Sequence, residues 1–284
     1  MDQWRIGDVK ITRIVELQVT GGSRFILPQA TREEMQAIDW MAPHFADADG
    51  RLIMSIHALI VETPDRRIMV DTCLGNDKQR GIPGWNMRHG PFLEDIAAAG
   101  YPRDSIDTVL CTHLHVDHVG WNTMLVDGKW QPTFPNARYL IGAKEWEHWS
   151  SQNANQRRGD DILGDSVRPV FDAGLADLVE MDHAVGDGVW LEPTPGHTPG
   201  HVSVRISSRG EDAIITGDCM HHPCQIARPQ WSSAADSDAH AARTTRLAFL
   251  ERYADGPVLV IGTHFATPTA GHIARDGDVY RLDV

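Results

Sequence analysis

"TVLCTHLHVDHVGWN", residues 108–122, sets His113, His115, Asp117 and His118 into six consecutive positions directly behind a short apolar run. Four ionisable side chains this close are costly to bury unless one partner satisfies all of them. The leading "DTVLCTH" (107–113) reads as a short, buried strand that delivers the cluster at its C-terminal end. In an extended segment residues two apart point the same way, so His113 and His115 can grip one cation together. Beyond the turn, Asp117 and His118 face a second cation nearby. Imidazole and carboxylate ligands suit zinc, and also iron, manganese or cobalt.

Working outward, three more apolar runs finish in the same kind of side chain. "LEPTPGHTPGH" (191–201) supplies His197, "IITGDCMHH" (214–222) supplies Asp218, and "LVIGTHF" (259–265) supplies His264. Ligands at strand ends are held by a rigid sheet, which suits a preorganised site. His201 reads as a structural group behind the ligands, and His222 as pointing elsewhere. His44, His57, His89, His148, His183, His240 and His272 read as ordinary surface or core histidines.

The remaining pattern alternates strands with helices. β-Branched runs at 9–17 and 56–72 read as strands, the second a hairpin turning at Pro64-Asp65. Residues 30–38 and 91–100 read as helices, the latter closed by Gly100. A strand at 137–142 leads into helix "AKEWEHWS" (143–150), and strands follow at 189–195, 201–208 and 212–218. A long amphipathic helix covers Asp238 to Tyr253 with Leu247, Phe249 and Leu250 on its apolar side, before a last apolar run at 257–264. Two sets of strands, each followed by helices, predict two packed sheets with helices outside. No linker rich in Pro, Gly or Ser interrupts the chain, so 1–284 reads as one domain. Segment 18–50 reads as either a pocket lid or a dimer arm.

Composition narrows the partners. At 284 residues with 42% hydrophobic content the chain can bury a sizeable core. A net charge of −13 argues against nucleic acid and against anionic membrane surfaces. No run approaches the 18 apolar residues of a membrane span. "MDQWRIGDVKITRIVEL" (1–17) lacks the basic and apolar regions of a secretory signal. With no export signal, Cys73, Cys111, Cys219 and Cys224 read as reduced thiols, and a cytoplasmic location is expected.

"THLHVDH", "PGHTPGH", "GD" and "GTHF", in this order, resemble the metallo-β-lactamase superfamily and, within it, the dinuclear hydrolases. The resemblance runs from about Ile56 to His264. It implies an α+β, four-layer αβ/βα sandwich: two packed mixed β-sheets with helices outside and metals at one sheet edge. It puts His113, His115 and His197 on one ion, Asp117, His118 and His264 on the other, and Asp218 on both. Two divalent ions are thus the expected cofactors, zinc foremost, with iron, manganese or cobalt also compatible. "MVDTCLG" (69–75) resembles the family's V-D-T-G turn, with Cys73 where glycine is usual, and implies that Asp71 orients a ligand histidine.

The same resemblance implies hydrolysis. Two ions lower the pKa of a shared water toward neutrality and polarise the substrate oxygen. Asp117 can carry the proton to the departing alkoxide. No nucleophilic serine is needed, and the chain lacks a G-x-S-x-G elbow. By pattern the chain resembles lactonases of the acyl-homoserine type and organophosphate hydrolases. Lactonases carry a tyrosine three residues after the bridging aspartate; here that position is His221, as in the organophosphate hydrolases. Its imidazole can donate the same hydrogen bond, so Asp117, Asp218 and His221 are the expected catalytic groups. Trp121, Asn122 and Phe265 beside the ligands, with Trp85, Met87 and Trp231 in loops, suggest an apolar-lined pocket. The expected partner is a small molecule, a neutral ester or lactone, and the lactonase resemblance adds a homodimer. Phosphotriester or thioester hydrolysis is the alternative at the same site. A mononuclear-iron sulfur dioxygenase needs only two histidines and one aspartate, and a purely structural metal scaffold would not keep the full ligand set.

Overall fold

A computed structural model describes residues 2–151 and 160–284. The chain divides into two compact units, one of residues 3–16 and 56–183, the other of residues 2, 17–55 and 184–284. The strands begin with β1 (Gln3–Ile6), β2 (Val9–Thr20), β3 (Ile53–Glu62), β4 (Arg67–Val70), β5 (Thr108–Cys111), β6 (Thr123–Val126), β7 (Lys129–Pro132) and β8 (Arg138–Gly142). They continue with β9 (Ala176–Val179), β10 (Ala184–Gly186), β11 (Val189–Pro193), β12 (Val202–Ser208), β13 (Glu211–Ile215), β14 (Leu259–Ile261), β15 (Ala270–Asp276) and β16 (Val279–Asp283). The α-helices are α1 (Ser23–Ile26), α2 (Arg32–Gln36), α3 (Phe92–Ala98), α4 (Ala143–Ser150), α5 (Arg168–Asp172), α6 (Cys224–Ala227) and α7 (Ala239–Tyr253).

The first unit carries a mixed seven-stranded sheet in the order β1-β2-β3-β4-β5-β8-β9. β3 and β4 form the expected hairpin, closed where Thr63 N–H donates to Arg66 O at 2.9 Å. β5 lies between β4 and β8, parallel to both, and all four of its residues are buried. That position explains the uninterrupted apolar run: a parallel strand covered on both faces has no polar side to show. α3 is shorter than the 91–100 reading but ends as expected. Gly100, at φ +94°, donates to Ala97 O, and Tyr101 N–H donates to Ile96 O, with Ile96 and Tyr101 both buried.

The second unit carries a second mixed sheet, β10 to β16 in sequence order, antiparallel throughout except for β13 beside β14. On α7 the buried residues are Ala242, Arg246, Phe249, Leu250 and Tyr253, one face of a 3.6-residue period. Leu247, expected on that face, is 42% exposed. The buried place beside it belongs to Arg246, whose guanidinium donates to Pro229 O, Cys219 O and Trp231 O at 3.0, 3.0 and 2.6 Å.

Segment 18–50 contributes to the core of this same unit. Leu27, Met35, Met41 and Phe45 of the segment pack with Met220, Phe249, Leu250, Tyr253 and Phe265. These apolar side chains are covered within the unit, so neither a lid's closure nor a second copy is needed to bury them. Among the described residues, no helix is long and apolar enough to cross a membrane.

Candidate metal centre

In the first unit the chemistry starts where β5 ends. Asp71, just past the end of the neighbouring β4, sits at φ +58° and is tied to β5 by its own N–H, which donates to Leu110 O at 2.9 Å. Its carboxylate accepts Thr112 N–H at 2.8 Å, the Thr112 hydroxyl at 2.8–3.0 Å and His118 Nδ1 at 2.9 Å. A carboxylate only accepts, so His118 carries its proton on Nδ1 and leaves a lone pair on Nε2, 3.8 Å from Asp117 Oδ1. The Thr112 hydroxyl has spent its proton on Asp71. It can therefore only accept from His113 Nδ1, 3.1 Å away, which leaves His113 Nε2 as a lone pair too. That nitrogen stands 3.0 Å from His115 Nδ1. One buried carboxylate thus sets two histidines, where the sequence suggested one.

The turn that carries Asp71 is itself held. Thr72 N–H donates to His118 O, Gly120 N–H to Cys73 O and Trp121 N–H to Thr72 O, all at 2.7–2.8 Å. Glu16 of β2 accepts Leu74 N–H, Gly75 N–H and the Trp121 indole N–H at 2.8, 3.2 and 2.7 Å. Burial pushes the Glu16 carboxyl up from its ordinary value, and these three donors pull it back.

In the second unit the centre is Asp218, at the turn after β13. His264 Nε2 lies 3.1 Å from Asp218 Oδ1; His197 and His221 Nε2 lie 3.3 and 3.2 Å from Oδ2. His264 Nδ1 is 2.9 Å from Ser55 O, and His197 Nδ1 is 2.9 Å from Asp236 Oδ1. Both partners are acceptors, so the proton of each ring sits on Nδ1 and a lone pair of Nε2 faces a carboxylate oxygen. Acceptor facing acceptor at this distance repels unless positive charge lies between them. The donor set therefore fits a cation, as does the matching set in the first unit. His221 is 2% exposed, and among the described residues neither of its ring nitrogens makes a hydrogen bond. Buried polar groups left in that state are uncommon and point to a functional role.

Behind these side chains the backbone is fixed in several ways. His201 Nε2 accepts the N–H of Asp218 at 2.7 Å while its Nδ1 reaches Thr194 O at 2.9 Å, so it does stand behind a predicted ligand. His222 points away: Nε2 donates to Phe45 O at 2.8 Å and Nδ1 accepts Cys224 N–H at 3.1 Å. Gln225 accepts His221 N–H at 2.7 Å. Gly196, at φ +132°, packs directly on the backbone of Ala241 and Ala242, where a Cβ would collide. That close approach brings the N-terminus of α7 against the turn bearing His197.

Each unit gathers its own predicted residues: His113, His115, Asp117 and His118 in the first, His197, Asp218, His221 and His264 in the second. The predicted pocket residues fare differently. Phe265 and Trp231 belong to the second unit's core, and Asn122 is fully buried, accepting the Thr72 hydroxyl. Trp121 is 3% exposed, stacked on Phe92, and its remaining surface lines a shallow cleft with Asp77, Leu93 and Glu94. Trp85 and Met87 are the more exposed of the set, Met87 at 45%. The residues next to predicted ligands, Trp121, Asn122 and Phe265, are thus buried among their neighbours. All four cysteines are free and buried. Asp236 went unread in the sequence: it lies 39 residues from His197, in a loop without periodicity.

The chain is similar to known proteins along most of its length. A "Probable metallo-hydrolase" of Mycobacterium tuberculosis is 28% identical over 241 residues, covering 78% of this chain and 77% of the relative. An N-acyl homoserine lactonase of Bacillus cereus is 25% identical over 182 residues, covering 58% of this chain and 64% of the relative. Among solved structures, the hydrolase AbOPH of the β-lactamase superfamily superposes with a TM-score of 0.81 at 24% identity, covering 100% of this chain and 97% of that one. The dizinc quorum-quenching lactonase AidC gives 0.79 at 20% identity, over 99% and 96%. These likenesses establish the fold, two mixed sheets with helices, as the resemblance implied. The model of the metallo-β-lactamase superfamily matches residues 53–264, and the chain belongs to that superfamily.

Proposed function

We propose that this chain is a dinuclear metal-dependent hydrolase that opens a lactone or cleaves a small carboxylic ester, with both units serving one catalytic domain. The observation that carries the reading is the set of imidazole Nε2 atoms turned toward Asp218 in the second unit, matched in the first by the Nε2 lone pairs that Asp71 leaves on His113 and His118 by fixing their Nδ1 protons. By the family pattern His113, His115 and His197 would hold one ion, Asp117, His118 and His264 the other, and Asp218 would serve both. Two such ions, zinc foremost, would supply a water of lowered pKa and a Lewis acid for the substrate oxygen.

The chain's own groups do the rest. Asp71, through Thr112 and directly, keeps His113 and His118 in one tautomer, and Ser55 does the same for His264. Asp117, whose side chain is 14% exposed, is the acid that returns a proton to the departing alkoxide. His221, a buried imidazole that makes no hydrogen bond among the described residues, is the group offered to the substrate carbonyl. The substrate is a neutral small molecule, which needs no basic surface on a chain of net charge −13. Four buried thiols fit a reducing compartment, the cytoplasm.

A substrate panel with metal analysis tests this. Zinc-loaded protein should hydrolyse lactones and aryl esters faster than paraoxon-like triesters or glutathione thioesters, with about two metals per chain. Asp218→Asn should stay folded and lose turnover by at least about 100-fold. Preference for triesters or thioesters would move the assignment to the alternative chemistry. One iron per chain with sulfur oxidation would replace the hydrolase reading altogether.

A further inference from the structure

We propose that Asp236 is a positioning residue for His197, holding the ring in the tautomer that turns an Nε2 lone pair toward Asp218. The inference rests on the reading of His197 as a metal ligand. The Asp236 side chain is 1% exposed, and both of its oxygens are committed as acceptors. Oδ2 takes the Ser233 N–H at 2.8 Å and Oδ1 faces His197 Nδ1 at 2.9 Å. The ring nitrogen toward Asp236 must carry the hydrogen, and the one toward Asp218 cannot unless the ring is charged.

The backbone around His197 is held by other groups. Ser237 N–H donates to His197 O at 2.8 Å, Asp238 N–H to Gly196 O at 3.1 Å, and the Thr245 hydroxyl to Pro195 O at 2.6 Å. Asp238 also caps α7, accepting the N–H groups of His240 and Ala241 at 3.0 Å. The main chain of the turn is therefore anchored without Asp236, which leaves Asp236 the orientation and tautomer of the ring. Replacing it frees the imidazole while those anchors remain. Carboxylate partners of this kind are worth about 10- to 100-fold in metal affinity.

The side chain's two acceptors also make the isosteric variant informative. An amide side chain has one acceptor oxygen, so Asp236→Asn must give up either the Ser233 N–H or the His197 bond. The test measures Zn²⁺ affinity of chelator-stripped protein by competition with a chromophoric chelator, alongside the apo protein's Tm. Asp236→Ala should bind Zn²⁺ about 10- to 100-fold more weakly, Asp236→Asn by an intermediate factor, and His197→Ala at least as weakly as either. Should Asp236→Ala fail to fold, Asp236→Asn decides alone. Wild-type Zn²⁺ affinity in the Asp236 variants, even with a lower Tm, would overturn the proposal and leave Asp236 a loop anchor, provided His197→Ala is weakened. Wild-type affinity in His197→Ala would instead remove His197 from the ligand set, and the proposal with it.

Discussion

His222 stands one residue past His221 and has the opposite character. It is wholly buried, donates to Phe45 O, accepts Cys224 N–H, and so is a satisfied neutral ring. Burial pulls its pKa down from 6.5 to about 4. A proton could enter only at Nδ1, and would break the bond to Cys224. Between those two values the unfolded chain binds a proton that the native one does not, so stability is complete above about pH 6.5 and drains away as pH falls toward 4. The loss is on the order of 3 kcal/mol. Urea titrations at neutral pH and near pH 4.5 should show His222→Gln less stable than wild type when neutral, but losing clearly less on acidification. An equal loss in both proteins would place the acid sensitivity elsewhere. The two adjacent histidines were separable in sequence only by the family's spacing from Asp218. What divides them physically is partnership, which a sequence does not print.

α7 works as a strut for the second unit's candidate ligand cluster. Its N-terminal approach sits against Gly196 and His197, and from its middle Arg246 reaches Cys219 O, one residue past Asp218, together with two carbonyls of the 229–231 loop. The helix was legible from its apolar pattern, and the structure adds its N-cap, Asp238, whose side chain accepts from His240 and Ala241 N–H. The buried face was not. Periodicity counts apolar residues, so Leu247 was assigned inside, whereas three converging carbonyls make the Arg246 guanidinium the better-paired occupant. Asp236 escaped for a related reason, since its value lies in a contact made across 39 residues. Arg246→Met keeps the length of the side chain but strands those carbonyls, each costing about 1–3 kcal/mol when buried without a donor. Equilibrium unfolding should therefore register a loss of roughly 3 kcal/mol or more. A loss below about 1 kcal/mol would mean that water replaces the guanidinium and that the strut is dispensable.

Across the whole molecule, what the sequence disclosed best was the repeated event of a strand ending in a ligand type, because strand, turn and side chain are local there. β5, β13 and β14 all end this way, and their order and spacing carried the family. Less local were the partners that fix tautomers: Asp71 for His113 and His118, Ser55 for His264, Asp236 for His197. Their collective effect is a protein that folds with lone pairs and carboxylates already opposed. Such a chain is less stable without cations than with them, because the opposed acceptors repel in the empty state and the unfolded chain offers no site. Binding to the native state alone adds RT ln(1 + [L]/Kd), about 3 kcal/mol when free Zn²⁺ stands at about 100-fold its dissociation constant. For a chain of this size that corresponds to a Tm higher by several degrees. Stripping with a chelator should lower the Tm by that margin, and Zn²⁺ should restore it. Because imidazole must be neutral to bind, the restoration should fade below about pH 6. An identical Tm with and without Zn²⁺ at neutral pH would show that the opposed acceptors hold no metal.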